Sequence, residues 1–554
     1  MKALSRGRVT LGFRTVCLLA FLGLPALCPV AAQTGQANTG GPHGLVRSAI
    51  GAPLEGIMVQ LISGKSSIRT TVYSDEDGHY EFPLLPDGSY TLRVARPLEF
   101  EPYVRSSLRI DGAMKLEDIV LQRRSESAFL APAADILPQL TDSEWLWNLP
   151  GTAEEKQAVS YTCGSGCHTL QRIFRARYDE RSWRLIVDRM VHYKTRLLQH
   201  RLTVPPGMGD GALQSEADFE TIVEWLAKVR GPGAADPPFQ VYRRPTGPAT
   251  HVVVTEYELP TIDERPSYLA GDSDGNIWYA ANRRPVIGKL DPKTGVVTEY
   301  QIPTEPGQVP GAQWIASRNT LIWYTDAWAE NLYRFDPRSN TFHKMPGWGG
   351  VMSMSSDGFL WRAQEQMIQK IDPETGQSVA QFPMKITHTV PAVESDVSPD
   401  GRFFVGGVPY QKSFDGFLFL DTKTGEVREV RTPSGAAHPS SGSFDPDDNA
   451  WIGGKGGVLI GFNTRTQRVS EYVPPTPFVN IYDAAADRNG DIWMGLMHAG
   501  RVARFKPRTQ QWIEYQMPEP YSLAWKVWID NSTNPVTVWY GDYNGFIVRL
   551  QPRD

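Results

Sequence analysis

A strand-sized segment built around one aromatic returns seven times in the C-terminal half of the chain, as NIWYAA, LIWYTD, FLWRAQ, RFFVGG, NAWIGG, DIWMGL and TVWYGD. The shared position is Trp278, Trp323, Trp361, Phe404, Trp451, Trp493 and Trp539, at intervals of 38 to 47 residues. That is the length of one four-stranded blade, and a unit of this size buries its apolar face only by stacking on copies of itself. Most copies continue with a second strand, a turn such as LDPKTG, FDPRSN, IDPETG or LDTKTG, and an outer strand such as TEYQIP or SEYVPP. The last copy stops at RLQPRD without an outer strand, whereas an outer-type strand, Val254 to Pro260, precedes the first complete copy. Seven blades, the seventh completed by that early strand, close the ring and remove two sheet edges that would otherwise be free to aggregate.

A second feature carries chemistry. In YTCGSGCHTL, Tyr161 to Leu170, a histidine directly follows the second of two closely spaced cysteines. The common c-type haem attachment pattern is C-x-x-C-H, in which both thiols bond the porphyrin and the imidazole becomes the proximal iron ligand. Here the spacer has three residues, Gly164, Ser165 and Gly166, and its glycines can bend to absorb the extra one. The expectation is one covalent haem c on Cys163 and Cys167 with His168 on the iron. A short-loop disulfide between the cysteines, or a zinc site of two thiols and His168, stands beside it; zinc would want a fourth ligand, and no second Cys pair or compact His pair follows nearby.

The chain has 554 residues, enough for three domains. A formal net charge of -5 gives no global reason to expect nucleic acid. Residues 1–32 read as a secretory signal: Lys2, Arg6, Arg8 and Arg14 precede an apolar run from Val16 to Cys28, and Val30, Ala31 and Ala32 are small enough for cleavage. A signal anchor or a lipoprotein is the alternative. The expectation is a periplasmic or secreted protein of a Gram-negative-type bacterium, starting at Gln33 and keeping no stable transmembrane anchor.

Residues 43–123 show short β-rich runs with period-two alternation, in which Val59, Leu61, Tyr80, Phe82, Tyr90, Leu92 and Val94 share the buried character, and Asp77-Gly78 and Pro86-Asp87-Gly88 mark turns. The segment resembles the carboxypeptidase regulatory-like domain, which implies a transthyretin-like β-sandwich and a packing or adhesion role. A linker, 124–144, leads to a helical stretch, 145–232, in which Trp145, Trp147 and Leu149 could cover a haem edge. Trp183, Ile186, Val187 and Met190 share one helical face, and Phe219, Ile222, Val223 and Leu226 another, before a stop at Gly231-Pro232. This stretch resembles bacterial cytochrome c domains in which a Trp-containing helix ends in Arg-Met and a later helix in Gly-Pro, as Arg189-Met190 and Gly231-Pro232 do here. The resemblance implies Met190 as distal iron ligand, with Met208 in the inserted VPPGMGDG loop as the alternative and His192 or His200 behind them. Arg172, Arg175, Arg177, Arg181, Arg184, Arg189, Lys194, Arg196 and Arg201, against Asp179, Glu180 and Asp188, make the stretch locally basic: a solvated face, a docking surface for an acidic redox partner, or counter-charge for haem propionates.

After a linker, 233–250, the repeats of 251–554 resemble the virginiamycin B lyase (streptogramin lyase) propellers. The resemblance implies a metal-assisted eliminase whose blade turn supplies a histidine base and whose residue three after a blade Trp is Glu. This chain departs from both. Eleven before the aromatics stand Ser267, Ala312, Gly350, Val393, Ser440, Tyr482 and Trp528; three after them stand Ala281, Asp326, Gln364, Gly407, Gly454, Leu496 and Asp542. Asp326 and Asp542 remain candidates to line the central funnel, while His388, His438 and His498 fall off the family's register and read as loop or internally satisfied histidines. The fold expected is therefore mainly β, with a sandwich, a small all-α haem domain and a seven-bladed propeller. The function expected is electron transfer through haem c coupled to binding or oxidation of a small molecule or glycan at the propeller. The alternatives are a propeller lyase and a non-catalytic binding or adhesion protein.

Overall fold

The computed structural model describes residues 38–129, 133–164, 169–191, 216–261, 265–304, 311–326, 331–346, 350–364, 366–384, 394–408 and 414–554. They belong to one compact unit. Among them no helix is long and apolar enough to cross a membrane.

The N-terminal strands are β1 (Gly40–Ser48), β2 (Met58–Ser63), β3 (Arg69–Tyr73), β4 (His79–Pro83), β5 (Gly88–Val94), β6 (Val104–Ile110) and β7 (Ile119–Leu121). They form two sheets, ordered β4-β1-β7 and β3-β2-β5-β6. Alternation along β5 turns Tyr90, Leu92 and Val94 inward, where they meet Val59, Leu61, Val72, Tyr80 and Phe82 in one core. The result is the strands that the period-two pattern implied, in the sandwich that the resemblance implied.

From residue 266 to residue 516 the chain forms six four-stranded antiparallel sheets in succession, β9 to β32, and a seventh holds β33 (Ala524–Asp530), β34 (Thr537–Asp542), β35 (Phe546–Pro552) and β8 (Val252–Glu258). The early strand β8 pairs antiparallel with β35, from Phe546↔Glu258 to Pro552↔Val252, so the ring closes as the repeat demanded. The innermost strand of the first blade, β9 (Pro266–Gly271), packs against that of the seventh. All seven repeat aromatics lie on the second strand of their blade and are buried. A recurring hydrogen bond holds the indoles: Trp278, Trp451 and Trp493 donate to Asp272, Asp445 and Asp487, at 2.8, 2.9 and 2.9 Å, each six residues upstream. Trp361 donates to Ser355 in the same place at 3.0 Å.

The sandwich is not a bystander. Its strand β3 pairs with the outer edge of β8 through Arg69↔Glu256, Thr70↔Thr255 and Thr71↔Val254. Four propeller strands and four sandwich strands thereby make one eight-stranded sheet, ordered β33-β34-β35-β8-β3-β2-β5-β6. The outer edge of the seventh blade is covered by the chain's own N-terminal domain.

Between them lie α1 (Asp142–Asn148), α2 (Ala153–Cys163), α3 (Gln171–Arg175), α4 (Glu180–Val191) and α5 (Glu216–Arg230). Thr141 and Thr152 open α1 and α2 with reciprocal bonds to Glu144 and Glu155, the capping box that satisfies two otherwise orphaned amides. Trp145, Leu170, Phe174, Trp183, Ile222, Val223, Trp225 and Leu226 share the core of this segment. Ile136, Leu140 and Phe239, from stretches read as linkers, are buried in the same core.

Candidate functional site at the propeller mouth

Because strands alternate in direction within a blade, the first and third hairpins fall on one face of the ring. The second hairpins and the connections between blades fall on the other. The helical segment sits on the latter face, and the end of α2 makes the contact. Gln157 donates to the Gly456 carbonyl at 3.1 Å, and Ser160 to that of Phe478 at 2.9 Å. The ring of Tyr161 stacks on His438, centroids 4.1 Å apart.

His498 also reaches the motif itself. Nε2 of His498 lies 2.7 Å from the Gly164 carbonyl, and Nδ1 lies 2.8 Å from Asp142 Oδ2. The same carboxylate oxygen accepts the Leu170 amide at 2.8 Å. A single His–Asp pair thus pins Gly164 and Leu170, the second residue after His168. The imidazole is fully buried, and both its neighbours are oxygens, so each contact needs a proton between nitrogen and oxygen. Gly164 has an ordinary φ of -83°; a Cβ there would lie 2.6 Å from His498 Nε2 and 2.0 Å from the Ser160 carbonyl. Close approach, rather than an unusual bend, requires this spacer glycine.

Of the residues assigned to haem in the sequence, Cys163 is the last of α2, and burial pushes its thiol up to about 12. Met190, near the end of α4, is 42% exposed. Ser165, Gly166, Cys167, His168, His192, His200 and Met208 lie outside the described residues. A partly buried thiol at a helix end can take a thioether bond to an apolar ring edge and ill suits exchange chemistry, which needs the thiolate. The described donor is therefore compatible with covalent haem. Around it, Trp145 and Leu149 are buried while Trp147 is partly exposed and meets Tyr242 edge-on at 5.4 Å.

On the same face the inner strands bring a polar group to the axis. Lys526 of β33 donates to Ser441 Oγ at 2.5 Å and lies 3.4 Å from Asp483 Oδ1, with its ammonium 4.8 Å from the centroid of Tyr268. Nearby Asp396 has its carboxyl pushed up to about 7 by burial, with Lys526 opposing the shift and Asp483 adding to it. These residues come from the first, fourth, fifth, sixth and seventh blades. An acid that changes charge near neutrality beside a fixed ammonium can exchange protons with a bound molecule.

Other sequence candidates are otherwise engaged. Asp326 accepts from the amide and side chain of Asn331 at 3.1 and 2.8 Å, and Asp542 accepts the Asn544 amide at 2.9 Å while burial pushes it up to about 6. His438 faces Asp415 at 3.1 Å, and His388 lies outside the described residues. Sequence reasoning missed Asp142, Asp396, Ser441, Asp483 and Lys526, none of which stands in a recognisable motif.

Fold and site together define a mainly β protein, a propeller whose mouth receives the helix that ends at Cys163 and whose outer edge is continued by a sandwich. The model of the carboxypeptidase regulatory-like domain matches residues 43–122, and that of the SMP-30/gluconolactonase/LRE-like region matches residues 310–526. No curated protein matches the chain. Among solved structures, a streptogramin B lyase is similar at 18% identity over 55% of this chain and 100% of that one, with a TM-score of 0.48. Virginiamycin B lyase from Staphylococcus aureus is similar at 16% identity over 54% and 99%, with a TM-score of 0.46. Hydrazine synthase from Kuenenia stuttgartiensis is similar at 14% identity over 53% and 97%, with a TM-score of 0.43.

Proposed function

We propose that the propeller mouth is where this protein handles a small molecule, and that the C-x-x-x-C-H motif, whose first cysteine ends the helix seated there, carries haem c on Cys163, Cys167 and His168. The observation that carries the reading is the clamp of His498 and Asp142 on Gly164 and Leu170, which ties the loop to the propeller rather than leaving it on a detached carrier domain. Bound haem would supply one-electron oxidation and reduction. The chain's own residues position and protonate: the clamp fixes the end of α2, Lys526 holds a positive charge on the axis, and Asp396 takes up a proton released by a bound molecule. Met190 remains the proposed distal ligand and Met208 its rival, and an acidic redox partner is the proposed docking partner of the basic helical face. Export to the periplasm or beyond belongs to the same proposal.

The test is a haem-stained denaturing gel and a reduced-minus-oxidised spectrum of the full chain made with c-type maturation. Covalent stain and a c-type spectrum, both lost in the double variant Cys163→Ala/Cys167→Ala, are the expected result. A stain that persists in that variant overturns the assignment.

A second reading has its own observation. The axial pair Asp396 and Lys526 also suits a propeller enzyme that abstracts a proton and eliminates, with Asp396 as base in place of the missing histidine. Linearisation of a streptogramin B, followed by mass spectrometry and abolished by Asp396→Asn, would select this reading over electron transfer.

A further inference from the structure

Beside the clamp, on the same face, lies a small aromatic group separate from the blade cores: Tyr482, Met497 and Leu523 are buried together, with Trp525 and Tyr543 packed against them. The rings of Tyr482 and Trp525 are 4.7 Å apart and those of Trp525 and Tyr543 5.1 Å apart, the second pair nearly perpendicular. Cations bracket the group. The Lys455 ammonium lies 4.6 Å from the centroid of Tyr482, and the Arg265 guanidinium 5.3 Å from that of Tyr543. Met497 directly precedes His498, and Tyr482 follows two residues after Asn480, whose amide reaches the Gly164 carbonyl at 3.4 Å. The aromatic group therefore adjoins the docked loop on one side, while Lys526, the residue after Trp525, belongs to the axial group on the other.

One atom argues that this is more than a packing cluster. The indole N–H of Trp525 is buried and has no hydrogen-bond partner, although Trp525 as a whole is only partly buried. A buried donor left unpaired is costly, and an acceptor from a bound molecule that reaches the Trp525 N–H removes the cost. Tyr482 is buried against Trp525 and Lys455, whereas Trp525 and Tyr543 are partly exposed and offer ring surface to another flat ring, and flanking cations favour an anion.

We infer that Tyr482, Trp525 and Tyr543 form a binding platform for a planar aromatic carboxylate, with the Trp525 indole donating to the ligand's oxygen and Lys455 and Arg265 supplying the complementary charge. The inference rests on the mouth being the working site and adds the chemical class of its ligand. It involves no bond making.

The test uses the full chain and three probes, 2-naphthoate, 2-naphthol and cyclohexanecarboxylate, measured by calorimetry and by hydrogen exchange. Naphthoate is expected to bind best and to protect the segments around residues 478–483 and 523–526. Trp525→Leu should weaken it about 10-fold or more. Lys455→Gln, a milder change, should erase most of the preference for naphthoate over naphthol. Trp512→Leu, outside this aromatic group, should change neither. Equal naphthoate affinity in Trp525→Leu and the parent, or no naphthoate binding at millimolar concentration, overturns the platform. Protection of those same segments by cyclohexanecarboxylate alone sinks the aromatic ligand but leaves the mouth as the site; probe binding that protects only segments elsewhere sinks both.

Discussion

Asp487 shows how much a single side chain can organise in a blade. It accepts the amides of Asn489 and Asp491 at 2.7 and 3.1 Å and the indole of Trp493 at 2.9 Å, so one carboxylate closes the hairpin and anchors the aromatic. Asp487→Ala strands three donors, the Trp493 indole in a buried place and two amides in partly buried ones, and a loss of about 2–3 kcal/mol in chemical denaturation is expected. Asp274→Ala, at the exposed tip of the first blade's equivalent turn, should cost less than about 0.5 kcal/mol. The aromatics themselves were legible because each recurs at blade spacing and each fills the same slot. The clamp was not: Asp142 and His498 stand 356 residues apart and each occurs once, so no period or spacing announces them. His498 also adopts a φ of 73°, a left-handed conformation that a local reading places in a loop and leaves there.

Strand β8 is the element on which most of the architecture depends, since it pairs with β35 on one side and β3 on the other. The ring closure was readable from a missing outer strand at one end and a surplus one at the other. The pairing with β3 was not, because backbone ladders carry no side-chain code for which free edge meets which. Thr255→Pro removes an amide from the seventh blade's sheet, and a stability loss of about 1–3 kcal/mol is expected. Glu256, also on β8, gives this junction a pH dependence. Burial pushes its carboxyl up to about 8, with Glu519 and Asp542 reinforcing and Arg69 and Arg93 opposing, while Gln60 donates to it at 3.0 Å. The unfolded chain releases that proton near pH 4.3, so from about 4.3 to 8 the native state holds more protons than the unfolded one. This contribution to stability is therefore fully present below about pH 4, falls as pH rises, and is spent above about pH 8. Glu256→Gln should flatten that slope in denaturation curves taken at pH 5, 6, 7 and 8; an unchanged slope would place the ionisation elsewhere.

Across the whole molecule, the sandwich and the helical segment are structural parts of the propeller's surroundings rather than passengers. Removing residues 38–123 bares the outer edge of β8 and the buried face around Glu256, so a lower melting temperature and concentration-dependent aggregation of the remaining chain are expected. A propeller transition unchanged by the deletion would show that the eight-stranded sheet contributes nothing to stability. The central claim is that the C-x-x-x-C-H loop and the propeller mouth act as one unit through His498. The measurement that tests it most directly is hydrogen exchange of the full chain and of His498→Ala, resolved by segment. The account predicts that the amides around residues 160–164 and 478–482 lose protection together in the variant while the blade strands keep theirs. Loss confined to the residues next to position 498, with the end of α2 as protected as in the parent, would contradict it.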